Sequence, residues 1–250
     1  MLNLYKYASP ASFYPLAGKM IPWFSVLGLL LLLLGLYVSF FVAPTDYQQG
    51  ESYRIIFIHV PAAWMGMFIY MVMAGYAVLA LSFNARLSAM MMQALAPTGA
   101  MFTAVSLWTG ALWGKPTWGA WWVWDARMTS TLILLFLYLG YIALNNAIED
   151  RRRADKAGAL LVLVGAVNVP IIYFSVKWWN TLHQGATINL TIAPKMAQIM
   201  LTGMLIMTFA CWMYSIAIAL ARVRGIILDR ERNTQWVDEL IANQTIHTKP

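Results

Sequence analysis

Apolar residues run through this chain in long blocks separated by short polar breaks, and the block lengths are the first informative feature. A helix that crosses a bilayer needs ~20 predominantly apolar residues. Six blocks meet that length: Trp23 to Ala43, Ile58 to Phe83, Ala94 to Leu112, Met128 to Asn146, Gly158 to Val176 and Met196 to Leu220. The breaks are Pro44 to Arg54, Asn84 to Gln93, a tryptophan-rich stretch from Trp113 to Thr129, Ala147 to Ala157, and Lys177 to Lys195. The pattern predicts an all-α polytopic membrane protein with six transmembrane helices. Residues 1–220 form the six-span domain, and 221–250 form a polar tail that is amphipathic at best around Trp236, Leu240 and Ile241. Met1 to Lys19 lacks a small-residue cleavage site behind an apolar core, so the first block reads as a retained span.

Composition agrees. Of 250 residues, 61% are hydrophobic and 11% charged, against about 25% charged in ordinary soluble domains. The net charge of +7 suggests nucleic acid only until its distribution is counted. With the N-terminus inside, twelve of the 17 Lys and Arg fall on cytoplasmic segments: Lys6, Lys19, Arg86, Arg151 to Arg153, Lys156, Arg222, Arg224, Arg230, Arg232 and Lys249. Only Arg54, Lys115, Arg127, Lys177 and Lys195 face outward. That bias is the positive-inside rule. It predicts cytoplasmic N- and C-termini, an external tryptophan stretch, and no nucleic-acid partner.

Several chemistries are excluded. One cysteine, Cys211, permits neither a disulfide nor a Cys-pair metal site within the chain, and its place inside span six reads as packing. There is no Walker A sequence, no His-Glu-x-x-His and no Ser-His-Asp pattern. Ionisable residues are nearly absent from mid-span, which argues against a proton-coupled transporter.

Three histidines remain. His247 lies in the tail and reads as solvated. Pro61 is suited to the first turn of a helix, so span two is expected to start near residue 60, with His59 at the outer headgroup level. His183 lies in the last external loop. One interfacial histidine is usually just a polar residue, but two on one face, near Trp64 and Trp178-Trp179, read better as metal ligands. Neutral imidazoles bind Zn, Cu or Fe. Two are too few for a closed zinc site, but they match the axial positions of a haem.

The segment 113–129 holds five tryptophans, Trp113, Trp118, Trp121, Trp122 and Trp124, with Asp125 and the cations Lys115 and Arg127. Tryptophan belts at membrane interfaces are ordinary. Against a belt stand Gly114, Pro116 and Gly119, which shape the backbone, and the spacing Trp118/Trp122 and Trp121/Asp125, which one helical turn aligns. Lys115 and Arg127 are placed to meet carboxylates on a flat apolar ligand such as a porphyrin, where charge-assisted pairs are strong. An internal Asp125–Arg127 pair is the alternative. Physics alone leaves ligand platform and belt open.

Taken together, Trp113-Gly114, Trp118-Gly119, Trp121 to Arg127, His59 to Met65 and Trp178 to Gln184 resemble the haem-handling membrane proteins that carry a tryptophan-rich WWD domain. Among these the chain is similar to the haem exporter protein C (CcmC) family of the cytochrome c maturation system, over roughly residues 20–220. Met128 stands where leucine is expected, a volume-conserving change. The resemblance implies a bacterial inner-membrane protein, without catalytic residues, that presents haem b as transient cargo on the periplasmic face. His59 and His183 would be the axial ligands, and Trp118, Trp121, Trp122, Trp124 and Asp125 the platform. Lys115, Arg127 and Arg54 are candidates for the propionates; Trp113, Trp64, Trp178 and Trp179 are further aromatic candidates. The implied acceptor is a membrane-anchored periplasmic haem chaperone (CcmE), which becomes covalently linked to haem. ABC transporter subunits (CcmA, CcmB), a small membrane subunit (CcmD) and membrane lipid are the other implied partners. The rival readings are a membrane cytochrome that keeps its haem for electron transfer and an ABC-type permease subunit.

Overall fold

The computed structural model describes residues 7–179, 181–183 and 196–247, so Lys6, Asn180, Gln184 to Lys195 and Lys249 lie outside the described residues. Every helix, strand or turn element of length among the described residues is helical, and six helical segments are long and apolar enough to cross a membrane. Helix α1 (Pro10–Tyr37) starts on the Ser9 cap with Pro10 at its first position, thirteen residues before the apolar block at Trp23. It ends in a π-helical turn, Val38–Val42. A 3₁₀ turn, Glu51–Ile55, leads directly into α2 (Ile56–Phe83). Pro61 is therefore the sixth residue of α2, which overturns the expected start near residue 60. His59 is the fourth residue of this spanning helix and not a residue just before it.

The expected polar break between spans two and three is also corrected. Only Asn84 and Ala85 separate α2 from α3 (Arg86–Trp118), with Asn84 left-handed at φ 49°. Ser88 to Met92 look like a connection in sequence, but all five are buried, Met90 and Met91 in a cluster with Tyr14, Val223 and Ile227. α3 then continues six residues into the tryptophan stretch. α4 (Ala126–Ala147) matches its apolar block closely, because Asp125 caps it: its Oδ1 accepts the Met128 N–H at 2.8 Å. Span five is two helices, α5 (Arg151–Ala166) and α6 (Asn168–Trp178). Pro170 has no N–H to offer the Ala166 carbonyl, so the ladder breaks there. α7 (Gln198–Arg230) runs ten residues past the apolar block, and α8 (Gln235–His247) folds back so that Trp236 meets Tyr14 at 5.9 Å.

α1 packs along α7 at the edge of the bundle, while α2 and α3 form its middle with α4, α5 and α7 around them. Lipid tails supply no hydrophobic drive between helices, so close backbone approach matters more. Tyr138 of α4 shows how this is met. Its ring occupies the space a side chain at Gly99 of α3 would fill, and its hydroxyl donates to the Gly66 carbonyl of α2 at 2.7 Å. Three spans are thereby locked by one fully buried side chain.

Candidate functional site

The connections expected to be external gather at the end of the bundle where α2 begins and α3 ends. His59 projects from the start of α2 onto α3, where Gly110 leaves room: a Cβ at Gly110 would lie 3.0 Å from His59 Cε1. His59 Nδ1 is 3.0 Å from the Ser106 carbonyl oxygen and 3.2 Å from Thr109 Oγ1. A carbonyl only accepts, so Nδ1 carries the proton and donates. Nε2 is left with its lone pair. This is the arrangement that orients metal-binding histidines generally, with the second nitrogen held by a carbonyl or carboxylate.

His183 approaches from the loop after α6. The two imidazole centres are 6.3 Å apart, with planes inclined at 44°. Each ring meets a tryptophan from the end of α3: Trp113 lies edge-on to His59 at 5.8 Å, and Trp118 lies against His183 at 5.1 Å. His183 Nδ1 is buried without a hydrogen-bond partner among the described residues. Burial, with Arg127 nearby, pushes its pKa down to about 4. The imidazole is therefore neutral at neutral pH, as a metal ligand must be.

A cavity of about 40 Å³ lies between these groups, lined by His59, His183, Ser106, Arg127, Thr131 and apolar side chains. It has room for a few waters; a cavity that encloses a drug-sized ligand measures roughly 300–1,000 Å³. Arg127 lies two residues after Asp125, the cap of α4, and makes no ion pair among the described residues. The alternative Asp125–Arg127 pair is not formed within ion-pair distance. Asp125 instead spends Oδ1 on the helix cap, and its Oδ2 is buried without a partner. Among the described residues no cluster of three or more His, Cys, Asp or Glu is present.

The remaining predicted residues divide. Trp113 lines up with His59 and also donates from Nε1 to Gln49 Oε1 at 2.8 Å, joining the loop between α1 and α2 to α3. The expected helical turn aligning Trp118 with Trp122 is absent: Gly119 is left-handed (φ 79°) and ends α3, so residues 119–125 are irregular. Trp122 packs edge-on to Trp124 at 5.4 Å, and its Nε1 is buried without a partner. Trp121 and Trp124 are exposed. Lys115 donates from Nζ to the Gly119 carbonyl, closing the end of α3. Arg54 is held by Glu51 and donates to the Ser39 carbonyl at 2.6 Å, fastening the π-helical turn to the 3₁₀ turn. Trp64 faces α7 in a cluster with Phe57 and Met204. Trp178 stacks on Phe174 at 5.2 Å and meets Trp179 edge-on.

Sequence reasoning missed Gln49, Ser106, Thr109 and Gly110. The last three form a run of small and hydroxyl residues inside a span, a composition that marks close helix contact. That signal was present in the sequence.

The chain matches the model of one protein family, CcmC, heme exporter protein C, over residues 3–238. Heme exporter protein C of Escherichia coli (strain K12) is 47% identical over 243 residues, 97% of this chain and 98% of that protein. The Haemophilus influenzae protein of the same name is 46% identical over 237 residues, 95% of this chain and 96% of its own length. That of Paracoccus denitrificans is 37% identical over 224 residues, covering 89% and 92%. Six spanning helices, two converging histidines and these alignments along nearly the whole length place the chain in the heme exporter protein C family.

Proposed function

We propose that this chain binds haem on the periplasmic face of the bacterial inner membrane, through His59 and His183, and hands it to a periplasmic haem chaperone during c-type cytochrome biogenesis. The observation that carries the reading is the 6.3 Å separation of the two imidazole centres. Two metal–nitrogen bonds of ~2 Å in line across one ion hold the ring centres about 6 Å apart. The fixed Nδ1–H of His59 and the neutral His183 supply the two lone pairs that such an ion needs. Arg127, without a carboxylate partner at the cavity wall, suits a propionate. Trp113 and Trp118 flank the ligands, and Trp121, Trp122, Trp124 and Asp125 follow in the segment that joins α3 to α4.

The cavity is far smaller than a porphyrin, so the ring extends outward past the tryptophan segment and keeps one edge exposed. That exposure suits cargo better than a resident group. Two axial nitrogens leave the iron no free site for oxygen while it waits. The chain's own contribution is then to hold, orient and release, without a catalytic residue. The natural acceptor is the chaperone CcmE; the ATPase and permease subunits CcmA and CcmB, the small subunit CcmD and membrane lipid complete the assembly in this reading. The reading is tested by absorption spectra of the haem-loaded protein with His59→Ala and His183→Ala. Loss of the six-coordinate spectrum in each is expected. Retention in both would sink the ligand assignment.

One observation favours a second reading, a cytochrome that retains its haem: His59 sits within a spanning helix. Addition of the apo-chaperone separates the two. Transfer of haem supports delivery, whereas redox cycling with no transfer supports the cytochrome.

A further inference from the structure

The opposite end of the bundle carries a larger concavity that haem handling leaves unused. It measures about 690 Å³ and is walled by the α2–α3 turn, the start of α5 and the end of α7. Its cations fall into two groups. Arg230 is bound by both oxygens of Asp155, at 2.8 and 2.9 Å, and also donates to Gln93, so it pins α7 to α5 and α3. Arg86 pairs with Glu231 and Arg232 with Asp229. Each of these three cations has a carboxylate of the protein within ion-pair distance.

Arg151, Arg152 and Lys156 are different. All three line the cleft, and none makes an ion pair among the described residues. Arg152 and Lys156 are four apart on one helix, where like charges repel by a few tenths of a kcal/mol. The wall from α2 and α3 holds apolar Leu81, Ala85, Ala89 and Met90 together with Asn84 and Arg86, and Asp155, Asp229 and Asn233 complete the lining. Phe83 projects beside it at the end of α2, 74% exposed. An occupant that satisfies both walls has an anionic head and an apolar body. Guanidinium groups bind phosphate oxygens in paired hydrogen bonds. Basic pockets between spans on the cytoplasmic side suit anionic lipid headgroups, and the cation bias of the sequence assigns this end to the cytoplasm.

We infer that this cleft binds the phosphate head group of an anionic membrane phospholipid through Arg151, Arg152 and Lys156, with the acyl chains along the end of α2. Free phosphate would satisfy the cations but leave the apolar wall bare. Arg153 provides an internal control: it is an exposed cation in the same helical turn, outside the cleft.

The test uses the full chain in a neutral detergent, titrated with phosphatidylglycerol, phosphatidylcholine or inorganic phosphate. Binding is followed by native mass spectrometry and thermal unfolding. One phosphatidylglycerol is expected to be retained and to raise the unfolding midpoint. Arg152→Gln should weaken it about fivefold, the effect of one cation near an anionic headgroup, while Arg153→Gln, with the same net charge, leaves it unchanged. The triple variant Arg151→Gln/Arg152→Gln/Lys156→Gln should abolish retention; if it fails to fold, the two single variants decide. Equal binding of phosphatidylcholine would overturn the proposal, as would equal losses in the Arg152 and Arg153 variants. Inorganic phosphate that binds alone and displaces the lipid would make this a free-anion site and overturn it too.

Discussion

Gly110→Ala puts the positioning of His59 to a quantitative test. The new Cβ would lie 3.0 Å from His59 Cε1 and 3.5 Å from Nδ1. Relaxed carbon contacts are ~3.5–4.0 Å, so the imidazole must withdraw by about half an ångström or α2 and α3 must part. Nδ1 is already 3.0 Å from the Ser106 carbonyl and 3.2 Å from Thr109 Oγ1. Hydrogen bonds of this kind end near ~3.2 Å, so the shift removes or badly weakens the bond that fixes the tautomer. The loss amounts to ~1 kcal/mol for the bond, with overpacking strain of ~1–3 kcal/mol. Disturbing the partner of a metal-binding histidine typically lowers metal affinity by about 10–100-fold. Haem affinity of Gly110→Ala should fall within that range, measured by titration of the purified protein against its Soret band. Imidazole ¹⁵N shifts should report a mixture of His59 tautomers in the haem-free state. Gly75→Ala is the control, because it lies on the same helix as His59 and its Cβ meets nothing within 4 Å. Wild-type affinity and a single tautomer in Gly110→Ala would refute the positioning argument. An equal loss in Gly75→Ala would do the same.

Asp125→Ala should cost about 1 kcal/mol through loss of the α4 cap, seen as a lowered unfolding midpoint, with Asp125→Asn retaining most of it; no change in either would show that the cap is dispensable. His183 should titrate near pH 4 in histidine-selective NMR, because burial lowers its pKa from the ordinary 6.5 to about 4. A depressed folded pKa means that loop stability is complete above pH 6.5 and drains away between 6.5 and 4; a midpoint near 6.5 would contradict the burial. Arg127→Met should raise that midpoint, since the guanidinium opposes protonation of His183. Gly99→Ala drives a methyl into the fully buried Tyr138 ring and should destabilise the bundle by ~1–3 kcal/mol or more; unchanged thermal stability would refute the close packing there.

Much of this protein is legible along the chain. Six spans and their order follow from hydrocarbon thickness, which asks each crossing for one long apolar run. Helix ends were harder, because polar residues do not stop a helix when a cap or a neighbour satisfies them. Ser9 and Pro10 carry α1 back to residue 10, while burial of Ser88 and a hydrogen bond from Arg230 to Gln93 let α3 run through both. Both histidines and the tryptophan segment were visible by residue type, since the chain has only three histidines and five of its twelve tryptophans fall within 113–124.

What each candidate touches was not visible, because partners come from far along the chain. Arg54 and Arg127 look alike in sequence. A carbonyl fifteen residues away claims Arg54, while no carboxylate comes within ion-pair distance of Arg127 among the described residues. His59 owes its tautomer to a carbonyl 47 residues on. The sequence by itself determined that the chain crosses the membrane six times and which side chains have the chemistry to hold iron. Only the tertiary structure decided which of those side chains meet, because span count depends on composition summed along each helix, whereas a site depends on distances between helices.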